Sequence, residues 1–235
     1  MRLIFVGCEY SGTTTLANSM GDWMFRAFGQ RSGLHDHWKI PHISGHPPHE
    51  IRVTLPTEEE KKQVLSASPV VKELLMRYAL YYHTPSLKDD SHGMLVGYHI
   101  EDKIYGPHYF GYGEAGQPGD RTLVAHDIEQ RISKYAPSTV LVLVKASMDV
   151  ILQRMEKTPH QYQVVPPKDV EYISSRFQEE FEQSQIHNKI IIDTSKNDVG
   201  ATNEELLNKV ETYMTSEDRI SLVARAKTNQ QGLHP

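Results

Sequence analysis

The sequence predicts an α/β fold, a three-layer sandwich around a mainly parallel five-stranded sheet with a helical insertion, and three observations predict it. Short apolar runs alternate with helical stretches five times along the chain. The first run, residues 2–7, ends in glycine and leads straight into a segment with helical periodicity. The run at 139–144, Thr-Val-Leu-Val-Leu-Val, is almost wholly apolar, as a strand buried on both faces must be. Such alternation folds as a parallel sheet covered by helices on both faces, with ligands beyond the carboxyl ends of its strands.

Taken in order, residues 13–28 place Leu16, Met20, Met24 and Phe25 on one helical face, and 33–38 read as a second short strand. Residues 41–92 read as a substrate-side insertion. It opens with a Pro- and His-rich stretch, 41–56, that has no periodicity. Two helices follow, at 57–67 with Thr57 as cap and three glutamates in the first turn, and at 69–82 behind Pro69. Residues 94–100 are the third strand. A helix at 120–135, capped by Asp120, carries Leu123, Val124, Ile128, Ile132 and Tyr135 at helical spacing. The 139–144 strand is expected at the centre of the sheet, followed by a helix at 147–157 with Val150, Ile151 and Met155 inward. Loop 158–167 and a polar helix at 168–186 form a candidate lid; that helix also reads as a dimer face or a solvated surface. A last strand at 189–193 and a helix at 202–214 complete the domain.

At 235 residues the chain suits one domain, 1–215, with a tail at 216–235. A formal net charge of -5 excludes a general nucleic-acid binder, which needs a basic surface, and favours a nucleotide and a small-molecule substrate as partners. A homodimer is compatible with this composition. The single cysteine, Cys8, forms no intrachain disulfide, and the leading apolar run is shorter than a signal-peptide core, so a cytoplasmic location is expected. No stretch approaches the ~20 apolar residues of a membrane span. Thirteen histidines show no repeated helical pairing that would bind zinc.

Residues 7–14 read Gly-Cys-Glu-Tyr-Ser-Gly-Thr-Thr: two glycines five apart, then threonine at the last position. This matches the phosphate-binding loop pattern except that Thr13 stands where lysine is expected. The glycines let backbone N–H groups turn inward, and the following helix adds its dipole. Gly7, Tyr10, Ser11, Gly12, Thr13, Thr14 and Thr15 are therefore the candidate phosphate contacts, with the Thr14 hydroxyl for magnesium. The missing lysine removes the charge that faces the outer phosphates, and Glu9 adds the opposite sign. Lys39, Lys103 and Lys145, each just beyond a strand, are the candidates to replace it.

Glu101, after the third strand, is the first candidate for a base that accepts a proton from an attacking hydroxyl, and Asp36 the second, through a substrate hydroxyl or the metal shell. Arg154 precedes the 158–167 loop and is placed to meet charge on a transferring group, with Lys157, Lys168 and Arg176 as alternates. The ring-rich stretch 105–112 suits either stacking on a base or packing within a loop.

The layout resembles the P-loop nucleoside and nucleotide kinase superfamily. His99-Ile100-Glu101-Asp102-Lys103-Ile104-Tyr105 is similar to the Glu-Arg-Ser-x-Tyr segment of deoxynucleoside kinases, which implies Glu101 as base, although Asp102 replaces the arginine. Arg154 corresponds to the first lid arginine of such kinases, while the second is replaced by Thr158. The resemblance implies ATP and magnesium, and phosphoryl transfer to a small metabolite or nucleoside. Ser11 to Thr14 with Leu16 also resembles the phosphosulfate-binding loop of sulfotransferases. That alternative implies 3′-phosphoadenosine 5′-phosphosulfate without metal, Lys145 at the 3′-phosphate, and His37 or His99 as base. It departs from that family at Tyr10, at Lys145-Ala146-Ser147 and at Gln153. A third reading is a nucleotide-binding protein that has lost catalysis, motivated by Thr13 and Glu9.

Overall fold

The computed structural model describes residues 1–29, 33–36, 38–43, 55–86, 93–196 and 198–230. His37, part of the 41–92 insertion and the end of the tail lie outside them. Five strands, β1 (Arg2–Val6), β2 (Gly33–His35), β3 (Gly93–Val96), β4 (Val140–Lys145) and β5 (Asn188–Asp193), lie in the order β2-β3-β1-β4-β5, every neighbouring pair parallel. β1 is therefore the middle strand. β4, expected there, is interior between β1 and β5. The registers Phe5↔Val96, Val6↔Leu143 and Lys145↔Asp193 align the carboxyl ends along one edge.

β1 and β4 are continuously apolar because successive side chains enter two different cores. Ile4, Val6, Leu141 and Leu143 pack beneath α3 (Pro69–Tyr82), α4 (Tyr98–Tyr105), α5 (Arg121–Tyr135), α6 (Met148–Lys157) and α7 (Val170–Gln183). Leu3, Phe5, Val140 and Val142 pack on the other side beneath α1 (Thr13–Phe28) and α8 (Val199–Glu211), where Leu222 of α9 (Ser216–Gln230) also joins. Each fully buried Leu or Phe contributes about 1.5–3 kcal/mol, so these two layers hold the sheet. The insertion helix α2 (Glu58–Ser66) buries no residue and rests on a capping box between Thr57 and Glu60.

The predicted α1 is observed with the same bounds, and Leu16, Met20 and Met24 bury at four-residue spacing. Phe25, expected on that face, is 43 % exposed, and Leu123 of α5 likewise points outward. The second strand is three residues rather than six. The strand expected at 94–100 stops at Val96, because Gly97 adopts φ 82° and Tyr98 φ 50°, which turns the chain into α4. The helix expected as polar at 168–186 starts at Val170, after a 3-10 turn at Pro167–Asp169, and buries Val170, Ile173, Phe177 and Phe181. α8 begins at Val199, earlier than expected, because the Asp198 side chain accepts from the Ala201 N–H and caps it. In the ring-rich stretch, Tyr105, Phe110 and Tyr112 are buried around a π-helical turn at Gly106–Phe110. No helix among the described residues is long and apolar enough to cross a membrane.

Candidate active site

The loop after β1 takes its shape from two glycines. A Cβ on Gly7 would lie 2.3 Å from the Val144 carbonyl oxygen and 2.6 Å from Ser11 Oγ, so no side chain fits there. Tyr10 (φ 65°) and Gly12 (φ 102°) are left-handed, and the Ser11 N–H donates to the Cys8 carbonyl at 3.0 Å. Gly12 then caps α1, whose first amides have no partner within the helix. This first turn forms one wall of a cavity of about 450 Å³. Such an N-terminus, with its dipole and free amides, is a site for an anion.

The other walls come from distant parts of the chain: Lys39 after β2, Arg154 of α6, Thr194 after β5, and Val199 and Thr202 of α8. Arg154 bolts the loop in place. Its Nη1 donates to the Tyr10 carbonyl oxygen at 2.9 Å and to Thr194 Oγ1 at 3.0 Å, and its Nη2 to the Thr194 carbonyl oxygen at 2.9 Å. Thr194 Oγ1 in turn donates to the Ser11 carbonyl oxygen at 2.8 Å. The guanidinium thus lines the cavity but is already tied to protein oxygens. Thr194 carried no motif; its signal was its place at the carboxyl end of β5.

Glu9, the loop acid of the wrong sign, turns out of the loop. Its Oε2 accepts from the backbone N–H groups of Val164 at 2.9 Å and Val165 at 2.8 Å, and its Oε1 faces Lys39 Nζ at 3.6 Å and His160 Nδ1 at 3.7 Å. The 158–167 loop is fastened further by Tyr10, whose ring stacks on His160 with centroids 4.1 Å apart and whose hydroxyl donates to Gln163.

Glu101 sits in the first turn of α4, 2 % exposed, and its Oε1 has no hydrogen-bond partner among the described residues. Burial, foremost, pushes its carboxyl pKa up to about 8; Asp36, Glu9 and Asp102 add to this and Lys39 opposes it. Lys39 shares the same field. Burial is its largest single influence and lowers its pKa, but Glu101, Glu9 and Asp36 together outweigh it and hold the ammonium above its usual range. Asp36 Oδ2 accepts from the Thr14 hydroxyl at 2.8 Å. These two hard oxygen donors fit magnesium, which usually takes one or two protein ligands and completes its shell with phosphates and water. Among the described residues no three His, Cys, Asp or Glu side chains gather as a metal cage.

Tyr10, Gly12, Thr13, Thr14, Thr15 and Arg154 thus meet at one cavity, while Gly7 and Ser11 shape the loop behind it. Lys103 does not join them: it pairs with Glu180 of α7 at 2.5 Å, where it serves the α4–α7 contact. Lys145 is exposed at the end of β4 and is not in the cavity wall. His99 is buried with its Nε2 3.0 Å from Glu129 Oε1, and Asp102 is held by Arg121 and the Tyr112 hydroxyl. His37 lies outside the described residues.

No protein-family model and no curated protein matches this sequence. Solved structures do. A deoxyadenosine kinase from M. mycoides with bound dATP superposes with a TM-score of 0.57 at 13 % identity, covering 90 % of this chain and 100 % of that one. The YorR protein from Bacillus subtilis, in complex with phosphorylated GDP, gives 0.57 at 12 %, covering 90 % and 96 %. Thymidylate kinase from Candida albicans gives 0.54 at 13 %, covering 90 % and 91 %. The chain has the fold of the P-loop nucleoside and nucleotide kinases. In that kinase fold the loop after β1 lies where the sequence placed it, with α1 directly behind it.

Proposed function

We propose that the protein is a P-loop kinase-like phosphotransferase that moves the γ-phosphoryl group of ATP to a hydroxyl or phosphate of a small metabolite or nucleoside. The observation that carries this reading is Glu101: a buried carboxyl group with one oxygen unpartnered among the described residues, its pKa raised toward the working range, within the same field as the cavity residues Lys39 and Glu9. A general base needs those properties. In this reading the loop and α1 hold the donor phosphates, and Glu101 takes the proton of the acceptor hydroxyl as the new O–P bond forms and ADP leaves. Arg154 and Thr194 keep the loop rigid, so that positioning, which does most of the work in phosphoryl transfer, is built in before binding. Thr14 and Asp36 would hold magnesium, which when bound neutralises phosphate charge.

The test is a melting-temperature series, since a ligand bound only by the native state raises stability. Stabilisation by ATP that requires magnesium, together with ADP release on adding nucleosides or nucleoside monophosphates, supports the proposal. Stabilisation by 3′-phosphoadenosine 5′-phosphate alone, without metal, replaces it with sulfuryl transfer.

A further inference from the structure

The loop carries threonine at position 13, where a lysine would meet the outer phosphates, and two acids, Glu9 in the cavity wall and Asp36 on Thr14, border the space that those phosphates need. A triphosphate placed there without a fixed cation would meet Glu9 in the cavity wall and Asp36 through its bond to Thr14. We propose that Lys39, delivered by the segment after β2, supplies the positive charge that the phosphate loop lacks at Thr13. This rests on the phosphotransfer reading and goes beyond it by naming the residue that takes over the charge.

Among the described residues, the geometry selects Lys39 from the cations in reach. Lys103 is committed to Glu180 between α4 and α7, and Lys145 stands exposed outside the cavity wall. Arg154 lines the cavity, yet three of its hydrogen bonds go to Tyr10 and Thr194. Lys39 lines the same cavity as Thr13 and Thr14, its side chain is 19 % exposed, and among the described residues its closest acid contact is Glu9 Oε1 at 3.6 Å, beyond hydrogen-bond distance. Its head is therefore placed but not consumed.

Its backbone is anchored on both sides. Trp38 and Ile40 are buried to 0 % and 1 % exposure, and the Lys39 carbonyl oxygen accepts from the His42 N–H. Glu9 is anchored as well, because both backbone N–H groups of Val164 and Val165 hold its other oxygen. A fixed carboxylate at that distance keeps the ammonium at the cavity wall while no phosphate is present. An incoming phosphate offers shorter, charge-assisted contacts and takes the ammonium over. Glu9 in a phosphate loop then has a purpose: it is the counter-ion that holds the relocated lysine.

Two experiments on the full chain test this. In the first, ATP carrying an acyl group on its terminal phosphate is incubated with the wild-type protein and magnesium. A lysine amine beside the outer phosphates attacks the acyl carbon, ATP departs, and the amide marks that lysine in a peptide map. Acylation of Lys39, suppressed by excess ATP, is the expected result; acylation of another lysine instead, or of none while ATP still raises the melting temperature, overturns the inference and leaves the phosphotransfer reading standing. A wild-type chain that ATP does not stabilise removes both.

The second experiment moves the charge back. Lys39→Gln is expected to weaken ATP binding and turnover by about 10- to 100-fold, the size of one lost contact to a charged group, while adenosine binding changes little. Adding Thr13→Lys to Lys39→Gln is expected to restore most of that loss, which a purely structural role for Lys39 would not allow. A folded double variant as weak as Lys39→Gln alone overturns the inference.

Discussion

Glu101 folds back over Gly97. A carbon added to Gly97 would lie 2.6 Å from Glu101 Cδ and 2.7 and 2.8 Å from its carboxylate oxygens. Gly97 is also the residue at φ 82° that ends β3, and its N–H donates to the Phe5 carbonyl oxygen at 2.7 Å. One glycine thus ends the strand next to the loop after β1 and opens the space in which the Glu101 carboxyl lies. Gly97→Ala is expected to cost about 1–3 kcal/mol in backbone strain and to push the carboxylate aside. Turnover should fall by at least about 100-fold, the scale of a displaced general base, with ATP binding retained. Unchanged turnover in a variant whose melting point has dropped would show that Glu101 is not the base.

The raised pKa of Glu101 gives two opposite pH effects. A base at Glu101, as proposed, acts only when ionised, so kcat/KM is expected to rise with pH and level off above about 8. Stability runs the other way: between the ordinary value of 4.5 and about 8 the folded state holds a proton that the unfolded chain has released, so this group costs stability progressively as pH rises through that window. Glu101→Gln removes the titration. It is expected to leave the melting temperature little changed at pH 4.5, to raise it increasingly up to pH 8, and to abolish turnover at every pH. A variant no more stable than wild type at pH 8.5 would sink the assignment of a protonated resting Glu101.

Much of this site was legible because a phosphate loop is a local device. Gly7, Gly12 and Thr14 are read from eight consecutive residues, and the strand before and helix after them follow from period alone. Glu101 was found as a residue type but placed on a strand end, since the left-handed turn at Gly97 and Tyr98 leaves no mark on hydrophobic periodicity. What the sequence hid are contacts between distant segments. Thr194 meets Arg154 across 40 positions, and Glu9 meets Val165 across 156. No local pattern encodes such pairs. Among three lysines flanking strand ends, only packing separates Lys39 at the cavity from Lys103, spent on Glu180.

Arg154 holds the phosphate loop to the end of β5, and its loss should be felt in both stability and binding. Hydrogen bonds from a charged donor contribute about 1.5–3 kcal/mol each at most, and shared partners reduce the sum. Arg154→Ala is expected to lower stability by about 2–3 kcal/mol and to raise the Kd for ATP. Arg154→Lys keeps the charge but not the fork, and should recover little of either. Full recovery by lysine would mean that charge alone, rather than the three-way tie to Tyr10 and Thr194, is what the site uses. Urea denaturation and calorimetric titration of ATP separate the two contributions.

The last prediction concerns Glu9 as a latch between two loops. Its Oε2 accepts from the N–H groups of Val164 and Val165, and Val165 is fully buried. In Glu9→Ala both donors lose that acceptor, at a cost of about 1–3 kcal/mol for a buried group left unpaired. The cost falls on a segment that is otherwise fastened through Tyr10 and, by Gln161 and Tyr162, to Glu58, so the loop, and not the whole fold, is expected to open. Amide exchange at 164 and 165 should therefore speed up by about 10-fold or more, as ~1.4 kcal/mol of local stability implies, while the β1 and β4 amides keep their protection. Uniform loss across the sheet would instead make Glu9 a global stabiliser. Unchanged exchange at both valines would mean that Tyr10, stacked on His160 and bonded to Gln163, and Glu58, which accepts from Gln161 and Tyr162, carry the loop without Glu9.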